Sequence, residues 1–498
     1  MVKTQKTLVI QPSHLKMMKA LTYSANVPGL VVSGIATDSR LVQPGDAFVA
    51  VRGQNTDGHQ FIGDAVSRKA SLVVCENVQG DIGIPYIIVE DSRVALAALA
   101  SLFFKEPTKR LSLIGVTGTD GKTTTSMLIE TLLNGAGLKT GLLGTVTYRF
   151  LGSEIPAPLT TPDALTLQKM FCEMVENGVT AAVMEVSSHA LDQRRTDFCH
   201  FDVGVFTLLA RDHLDYHKTL EAYKKAKLRL FTELLPQSCK AKGVVANGQD
   251  PVTLEIIRQC PLPVFTFASN GRNAHIFPVA SDFTLNGLSA VLVTPWGEFD
   301  VRSKLIGAHN LQNIMAAIGA CGVLGIDLKK AVPALSSVVR IPGRLERVQG
   351  RRPIHVFVDY AHTPKAIENC LKIVRSLASS EQKIIIVFGA GGDRDKGKRP
   401  LMGKAAIENA DLVVVTSDNP RSEDPLAIIE EILGGIRETN KGSFIVEPDR
   451  RLAIKKALDL AKDGDIVIIA GKGHEKYQIV KDKKLPFDDC EVAREFMS

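Results

Sequence analysis

The chain has 498 residues, 45% hydrophobic and 23% charged, with a formal net charge of +6, which is ordinary soluble-globular composition at about three times the usual domain length. Lys and Arg are spread without a long block, no run of about 18 apolar residues occurs, and no secretory segment opens the chain, so a nucleic-acid surface is weakly supported and neither membrane spanning nor export is indicated. The eight cysteines include no Cys-x-x-Cys pair, which points to reduced thiols and a cytoplasmic location.

In chain order, residues 1–108 carry short β-rich runs at 47–51, 72–75 and 86–89, and a break at Pro107-Thr108 closes a small α/β domain. From 109 to 340 the pattern alternates strand and helix: an apolar strand at 111–116, a helix at 123–134 closed by Gly135 and Gly137, then strands at 181–186, 203–207 and 243–246. Short β-branched runs between longer amphipathic stretches predict a mostly parallel sheet wrapped by helices. Past Pro342-Gly343 the grammar restarts, with strands at 355–358, 383–388, 411–416 and 465–470. The expected fold class is α/β in three domains: a small N-terminal α/β domain (1–108), a central P-loop-type mostly parallel sheet with helices (109–340), and a C-terminal Rossmann-like α/β domain (341–498). The Gly389-Ala-Gly-Gly392 turn does not make the last one a dehydrogenase, because the third glycine of that fingerprint would fall at Arg394.

Residues 115–125 read Gly-Val-Thr-Gly-Thr-Asp-Gly-Lys-Thr-Thr-Thr, between an apolar strand and a helix. This makes ATP the first ligand to consider: Gly118 and Gly121 admit phosphate oxygens to backbone N–H groups, Lys122 adds charge, Thr123 offers a hydroxyl to Mg2+, and the helix presents its positive dipole end. The usual spacing puts a glycine where Val116 stands.

Further on, the run 181–190 is an apolar strand that delivers Glu185, two hydroxyls and an imidazole, with Glu185 placed as a carboxylate for Mg2+; alone, such a glutamate more often sits in a surface ion pair. The cluster Arg211-Asp-His-Leu-Asp-Tyr-His217 could make a second metal site or a polar loop, and magnesium suits it better than zinc because no thiolate accompanies the histidines.

Eight motifs then appear in one order: Gly118-Thr-Asp-Gly-Lys-Thr-Thr124, Met184-Glu-Val-Ser-Ser-His189, Asp212-His-Leu-Asp-Tyr-His217, Pro342-Gly-Arg-Leu-Glu346, Val358-Asp-Tyr-Ala-His-Thr-Pro364, Gly391-Gly-Asp-Arg-Asp395, Asp418-Asn-Pro-Arg421 and Gly471-Lys-Gly-His-Glu475. That order resembles the Mur ligases from about residue 34 to 490. The resemblance implies an ATP-dependent amide ligase, expected to be a cytoplasmic monomer. It would add meso-2,6-diaminopimelate to UDP-N-acetylmuramoyl-L-alanyl-D-glutamate through an acyl phosphate in peptidoglycan synthesis.

By resemblance, Lys122, Glu185, His213 and Lys227 are the catalytic set. Thr123, Glu185, His213 and Lys227, the last as a carbamate, would hold Mg2+. Gly118, Thr119, Asp120, Gly121, Lys122, Thr123, Thr124, Asn310 and Arg344 would bind ATP. Thr37, Ser39, Gln54, Asn55 and Thr56 match the family's uridine-binding stretches, and Thr160, Thr161, Ser187, Gln193 and Arg195 would hold the peptide arm. A carbamate at Lys227 requires surroundings that lower the lysine pKa enough for the neutral amine to capture CO2, with Lys224 and Lys225 as surface controls.

Members that add diaminopimelate resemble this chain in carrying Asp-Asn-Pro-Arg, whereas lysine-adding members lack that arginine. Diaminopimelate differs from lysine by a second carboxylate, which a guanidinium binds through two parallel hydrogen bonds, so Arg421 would read the group that lysine lacks. If Arg421 is buried, an absent carboxylate would penalise lysine by roughly 2–5 kcal/mol. Arg394, Asp418, Asn419, Pro420, Gly471 and Glu475 complete that expected site, Glu475 accepting from an ammonium.

Two residues depart from the family pattern. Asp120 stands where most members have Asn, which bears on nucleotide affinity, and Leu208 replaces a common Asn, which bears on adenine or metal-loop contacts. A lysine-adding ligase, a folylpolyglutamate-type ligase and a non-catalytic nucleotide-binding scaffold remain as alternatives.

Overall fold

The structure, a computed structural model, describes residues 6–53, 56–78, 80–271, 273–439 and 442–498. The chain forms two compact units, one of Met1–Phe277, Val293–Gly297 and Gln312–Val332, the other of Pro278–Leu292, Glu298–Leu311 and Pro333–Ser498. No described helix is long and apolar enough to cross a membrane.

Among the described residues the first unit holds two large sheets and a two-stranded antiparallel pair, Leu8–Val9 with Val31–Val32. Five strands lie in the order Ala20–Tyr23, Tyr86–Val89, Leu72–Cys75, Asp46–Val49, Gly34–Ala36, antiparallel only at the first pair. Eight more run Ser153–Pro156, Thr147–Phe150, Thr140–Leu143, Ala181–Glu185, Ser112–Thr117, Val203–Phe206, Gly243–Asn247, Val264–Phe267. From Thr140–Leu143 onward this second sheet is parallel, and the preceding two strands fold back as an antiparallel meander. Its central strands are apolar throughout because helices cover both faces: Ala181–Glu185, Val203–Phe206 and Gly243–Asn247 are buried at every residue.

The second unit carries a six-stranded sheet in the order Glu346–Val348, His355–Asp359, Ile466–Ala470, Ile384–Phe388, Leu412–Val415, Ser443–Val446, parallel except for the first. The two-residue period of a strand divides its side chains between two cores. Ile384, Ile386 and Phe388 pack into one, with Met402, Ile432 and Leu371, whereas Ile385 and Val387 pack into the other, with Ile454, Leu458 and Val492. Helices start where a short polar side chain caps them: Asp163 accepts from Thr166 N at 3.0 Å, Thr219 from Ala222 N at 3.1 Å, and Thr363 from Ala366 N at 3.2 Å.

The α/β fold class is borne out, and the strand expectations hold to within a residue or two. The helix after the glycine loop spans Lys122–Gly135, one residue beyond each expected end, because Gly121 at φ +84° opens it and the left-handed turn falls at Gly137, φ +85°, rather than at Gly135.

Candidate functional site

In the first unit the site begins where the strand Ser112–Thr117 ends. Gly118 has φ +151°, and a Cβ there would collide with the Thr207 hydroxyl and lie 3.1 Å from Leu208 N and O. Gly121 approaches Asn313 so closely that its Cβ would sit 2.6 Å from Oδ1. Both glycines are needed by the backbone, which leaves the loop's N–H groups and the first turn of the helix free of side-chain cover. The Lys122 ammonium lies on the same loop, donating to Gly118 O at 3.0 Å and Thr119 O at 2.8 Å. Thr123 and Thr124 follow it in the first turn of the helix and are buried.

The departures from the family pattern act here through the main chain. Asp120 is exposed and its carbonyl accepts from Thr207 Oγ1 at 2.6 Å. Leu208 contributes a carbonyl that accepts from Thr119 N at 2.7 Å, a bond any residue at that position could make.

Glu185, at the carboxyl end of the adjacent strand, is 1% exposed, not a surface partner for a cation. Thr145 donates to it twice, from N to Oε1 and from Oγ1 to Oε2, both at 2.8 Å. Around it the expected peptide-arm residues come together. Thr161 Oγ1 donates to the Glu185 carbonyl at 2.7 Å and accepts from Ser187 N at 3.0 Å. Thr160 Oγ1 lies 3.2 Å from Thr145 Oγ1, two hydroxyls within hydrogen-bond distance. Arg195 donates to Thr161 O at 3.0 Å and to Gln193 Oε1 at 2.6 Å.

Lys227 projects from the helix Leu220–Arg229 and is 2% exposed, unlike a solvated lysine. Its Nζ donates to Gly118 O at 2.6 Å and lies 4.5 Å from the centroid of the Tyr223 ring, whose hydroxyl pairs with Thr119 Oγ1 at 3.1 Å. Burial, reinforced by the charge of Lys122, pushes its pKa well below the usual lysine range.

The cluster at 211–217 divides. His213 adopts φ +52° and puts Nε2 3.4 Å from Asp212, with its ring 4.9 Å from that of His189. Burial lowers the pKa of His213, which favours the neutral imidazole. His217 turns inward to Ser188 Oγ at 3.0 Å. Among the described residues no three of His, Cys, Asp and Glu gather to hold a metal ion by themselves. A magnesium site here would draw on Thr123, Glu185 and His213 together with phosphate oxygens and water, the mixed set this ion ordinarily takes.

Of the expected uridine-binding residues, Ser39 opens the short helix Ser39–Leu41, Thr37 is exposed before its Asp38 cap, and the Thr56 carbonyl accepts from Gly53 N at 2.9 Å. Gln54 and Asn55 lie outside the described residues.

The second unit gathers a separate group at the carboxyl ends of its parallel strands. Asn419 is the hub: its Nδ2 donates to Glu475 Oε2 at 2.8 Å, and its Oδ1 accepts from Lys472 Nζ at 3.1 Å and Ile479 N at 2.9 Å. Gly471 has φ +111°, and a Cβ there would stand 2.5 Å from Asp418 Oδ2. Asp418 is buried, which raises its pKa against the pull of Arg450 and Lys472. Arg421 is half-buried at φ +53°; its Nη1 donates to Gly392 O at 2.8 Å, which leaves other guanidinium donors for a ligand. Pro420 turns the chain between Asn419 and Arg421, and Arg394 stands exposed in the neighbouring loop. Also in this unit, Asn310 donates to Ile306 O at 2.8 Å, and the Arg344 guanidinium lies 5.6 Å from the Tyr360 ring centroid.

The sequence reading did not single out Thr145, Tyr223 or Lys472. Lys472 had a signal: it is flanked by two glycines directly after a strand, and it is fully buried. Thr145 and Tyr223 had none, since their partners Glu185 and Thr119 are 40 and 104 residues away.

Comparison with known proteins extends this over the chain. Residues 31–104 match the family described as Mur ligase family, catalytic domain; 116–321 match the Mur ligase middle domain; 343–473 match the Mur ligase, glutamate ligase domain. A UDP-N-acetylmuramoyl-L-alanyl-D-glutamate--2,6-diaminopimelate ligase of Geobacter sulfurreducens is 44% identical over 479 residues, 93% of this chain and 94% of that protein. One of the same name from Gloeobacter violaceus is 46% identical over 476 residues, 95% of each. A solved structure of a ligase of that name superposes with a TM-score of 0.72 at 33% identity, covering 98% of this chain and 99% of that one.

Proposed function

The chain belongs to the Mur ligase family, and we propose that the two groups of side chains just described divide the work of one ATP-dependent ligation. The enzyme adds meso-2,6-diaminopimelate to the D-glutamate of UDP-N-acetylmuramoyl-L-alanyl-D-glutamate, a step of peptidoglycan synthesis. As an ATP-driven enzyme, it works in the cytoplasm.

Joining a carboxylate to an ammonium in water is uphill, so the carboxylate must first gain a leaving group. A D-glutamate carboxylate oxygen attacks the γ-phosphorus of ATP, ADP departs, and an acyl phosphate remains. The diaminopimelate amine, once deprotonated, attacks the acyl carbon and expels phosphate. The protein's share is positioning and neutralising charge. Gly118 to Thr124 cradle the phosphates, and Lys122 supplies positive charge beside them. Thr160, Thr161, Ser187, Gln193 and Arg195 orient the peptide arm, while Thr37, Ser39, Gln54, Asn55 and Thr56 take the uridine end. Asn310 and Arg344 contact the nucleotide.

Magnesium, when bound, adds charge neutralisation on the β and γ phosphates. Thr123, Glu185, His213 and Lys227 as a carbamate would hold it. The donor set fits: hard oxygens, one imidazole whose burial favours the neutral form, and a depressed lysine beside a second cation, where a carbamate's negative charge is favourable.

In the second unit, Glu475 and Asp418 accept from the distal ammonium of diaminopimelate, and Arg421, with Arg394, binds the distal carboxylate. Lysine would leave that arginine unanswered. The observation that carries the reading is the 44% identity over 93% of the chain to a ligase of that name, together with retention of Arg421. The same breadth of likeness favours it over a folylpolyglutamate-type ligase or a scaffold.

Phosphate release from ATP, Mg2+ and UDP-N-acetylmuramoyl-L-alanyl-D-glutamate, with meso-diaminopimelate or L-lysine as acceptor, tests it. Release with diaminopimelate alone is expected. Release with lysine would overturn the role of Arg421, and silence with both would overturn the reaction.

A further inference from the structure

We propose that Arg399 is a positioning residue for amino-acid selection, fixing through Glu423 the spacing of the two turns between which the Arg421 guanidinium is held. The inference rests on the reading of Arg421 as the group that binds the distal carboxylate, and it adds a residue outside that contact set.

Arg399 is the second residue of the helix Lys398–Asn409 and is fully buried, rare for an arginine. Its guanidinium grips Glu423 as a fork, Nη1 to Oε2 at 2.9 Å and Nη2 to Oε1 at 2.8 Å. Nη1 also donates to Glu431 Oε2 at 2.9 Å, and Nη2 to Gly391 O at 3.2 Å. Glu423 accepts in turn from Asp393 N at 2.6 Å. One ion pair therefore ties together a helix start, the turn at 391–393 and the turn at 420–423.

Arg421 lies where those turns meet. Its Nη1 donates to Gly392 O at 2.8 Å, while Gly392 N donates to Asn419 O at 2.9 Å. Ser422 closes the other side, its Oγ donating to Asp393 Oδ1 at 2.5 Å. The turns are in backbone contact, since a Cβ on Gly392 would collide with Pro420 O. The direction of the Arg421 fork thus depends on the separation of the two turns, and that separation depends on Arg399 and Glu423.

Lysine could not replace the arginine here. Its single nitrogen cannot span both oxygens of Glu423 while also reaching Glu431 and Gly391. Nor does a buried ion pair stand as a stability device: its desolvation cost means that apolar side chains of similar volume would often hold the core as well or better.

The test compares Arg399→Lys, Arg421→Ala and the double variant in the full-length enzyme, measuring kcat and KM for meso-diaminopimelate, L-lysine and ATP. Arg399→Lys should raise KM for diaminopimelate by about tenfold through misplacement of the fork, with KM for ATP within about twofold. In the Arg421→Ala background the same change should leave the diaminopimelate-to-lysine ratio where it is, because the two residues act as one unit. A ratio unmoved by Arg399→Lys while Arg421→Ala lowers it, or losses that add, would overturn the proposal alone. A ratio unmoved by Arg421→Ala would overturn the underlying reading and the proposal with it. Should Arg399→Lys not fold, Glu423→Gln, which keeps shape and removes charge, is read by the same ratios.

Discussion

The Lys227 amine donates to the Gly118 carbonyl at 2.6 Å, joining the last turn of the helix Leu220–Arg229 to the start of the glycine loop. A carbamate on that nitrogen would keep one N–H, so this bond survives modification while the charge beyond it turns negative. Lys227→Ala should therefore lower phosphate release by about two to three orders of magnitude, and Lys224→Ala or Lys225→Ala by no more than about twofold. A carbamate carbon resonance from 13C-labelled bicarbonate should appear in the wild type and vanish in Lys227→Ala. Its absence from the wild type would remove the carbamate.

Arg421→Ala should narrow the preference for diaminopimelate over lysine and leave ATP affinity intact. Because the guanidinium is half-buried, water compensates part of the loss, and the effect falls at the low end for truncated charge pairs, about 2 kcal/mol or ~30-fold. Competition between the two amino acids for one enzyme sample measures it.

Stability should fall in mild acid partly through His309. Burial pulls this histidine down from 6.5 to about 4, so the folded chain holds it neutral. Between those values the unfolded chain takes up a proton that the folded chain refuses. The stability it contributes is complete above pH 6.5 and is lost as pH falls, on the order of 3 kcal/mol by pH 4. Urea unfolding at pH 7.5 and 5.5 should give a smaller acid loss for His309→Asn than for the wild type, by about 1 kcal/mol. Equal losses would mean that this histidine titrates normally.

Gly118→Ala should spare the fold and weaken ATP binding. A Cβ at φ +151° meets the Thr207 hydroxyl that holds the Asp120 carbonyl, and relieving the clash distorts the loop at about 1–3 kcal/mol, or ~5–150-fold in affinity. Calorimetric titration with ATP measures it, and unchanged affinity would show that the nucleotide does not use this loop.

Much of the architecture could be read from the chain because buried parallel strands must be continuous apolar runs, and the stretches at 181–186 and 384–388 have no polar interruption before their ends. The phosphate loop was readable because Gly118 and Gly121 perform backbone tasks that other residues cannot. What escaped was long-range: Thr145 on Glu185, Tyr223 over Lys227, and Arg399 on Glu423 are pairings that local periodicity does not encode. Burial escaped as well. A lysine in Tyr223-Lys-Lys-Ala-Lys-Leu looks solvated, yet Lys227 is enclosed while Lys225, two residues before it, is exposed.

Arg421 occupies a left-handed backbone position, φ +53°, where a residue bearing a Cβ costs roughly 1 kcal/mol more than glycine. Hydrogen bonds from its own N to Ile479 O and from Lys481 N to its O hold the chain in that conformation whatever the side chain. Drift at this site is therefore biased: glycine or asparagine would relax the turn, and on the proposed role of Arg421 it is demand for the second carboxylate that keeps the arginine in place. A lineage released from that demand would gain stability as it lost discrimination, so a lysine-tolerant descendant should be the sturdier protein.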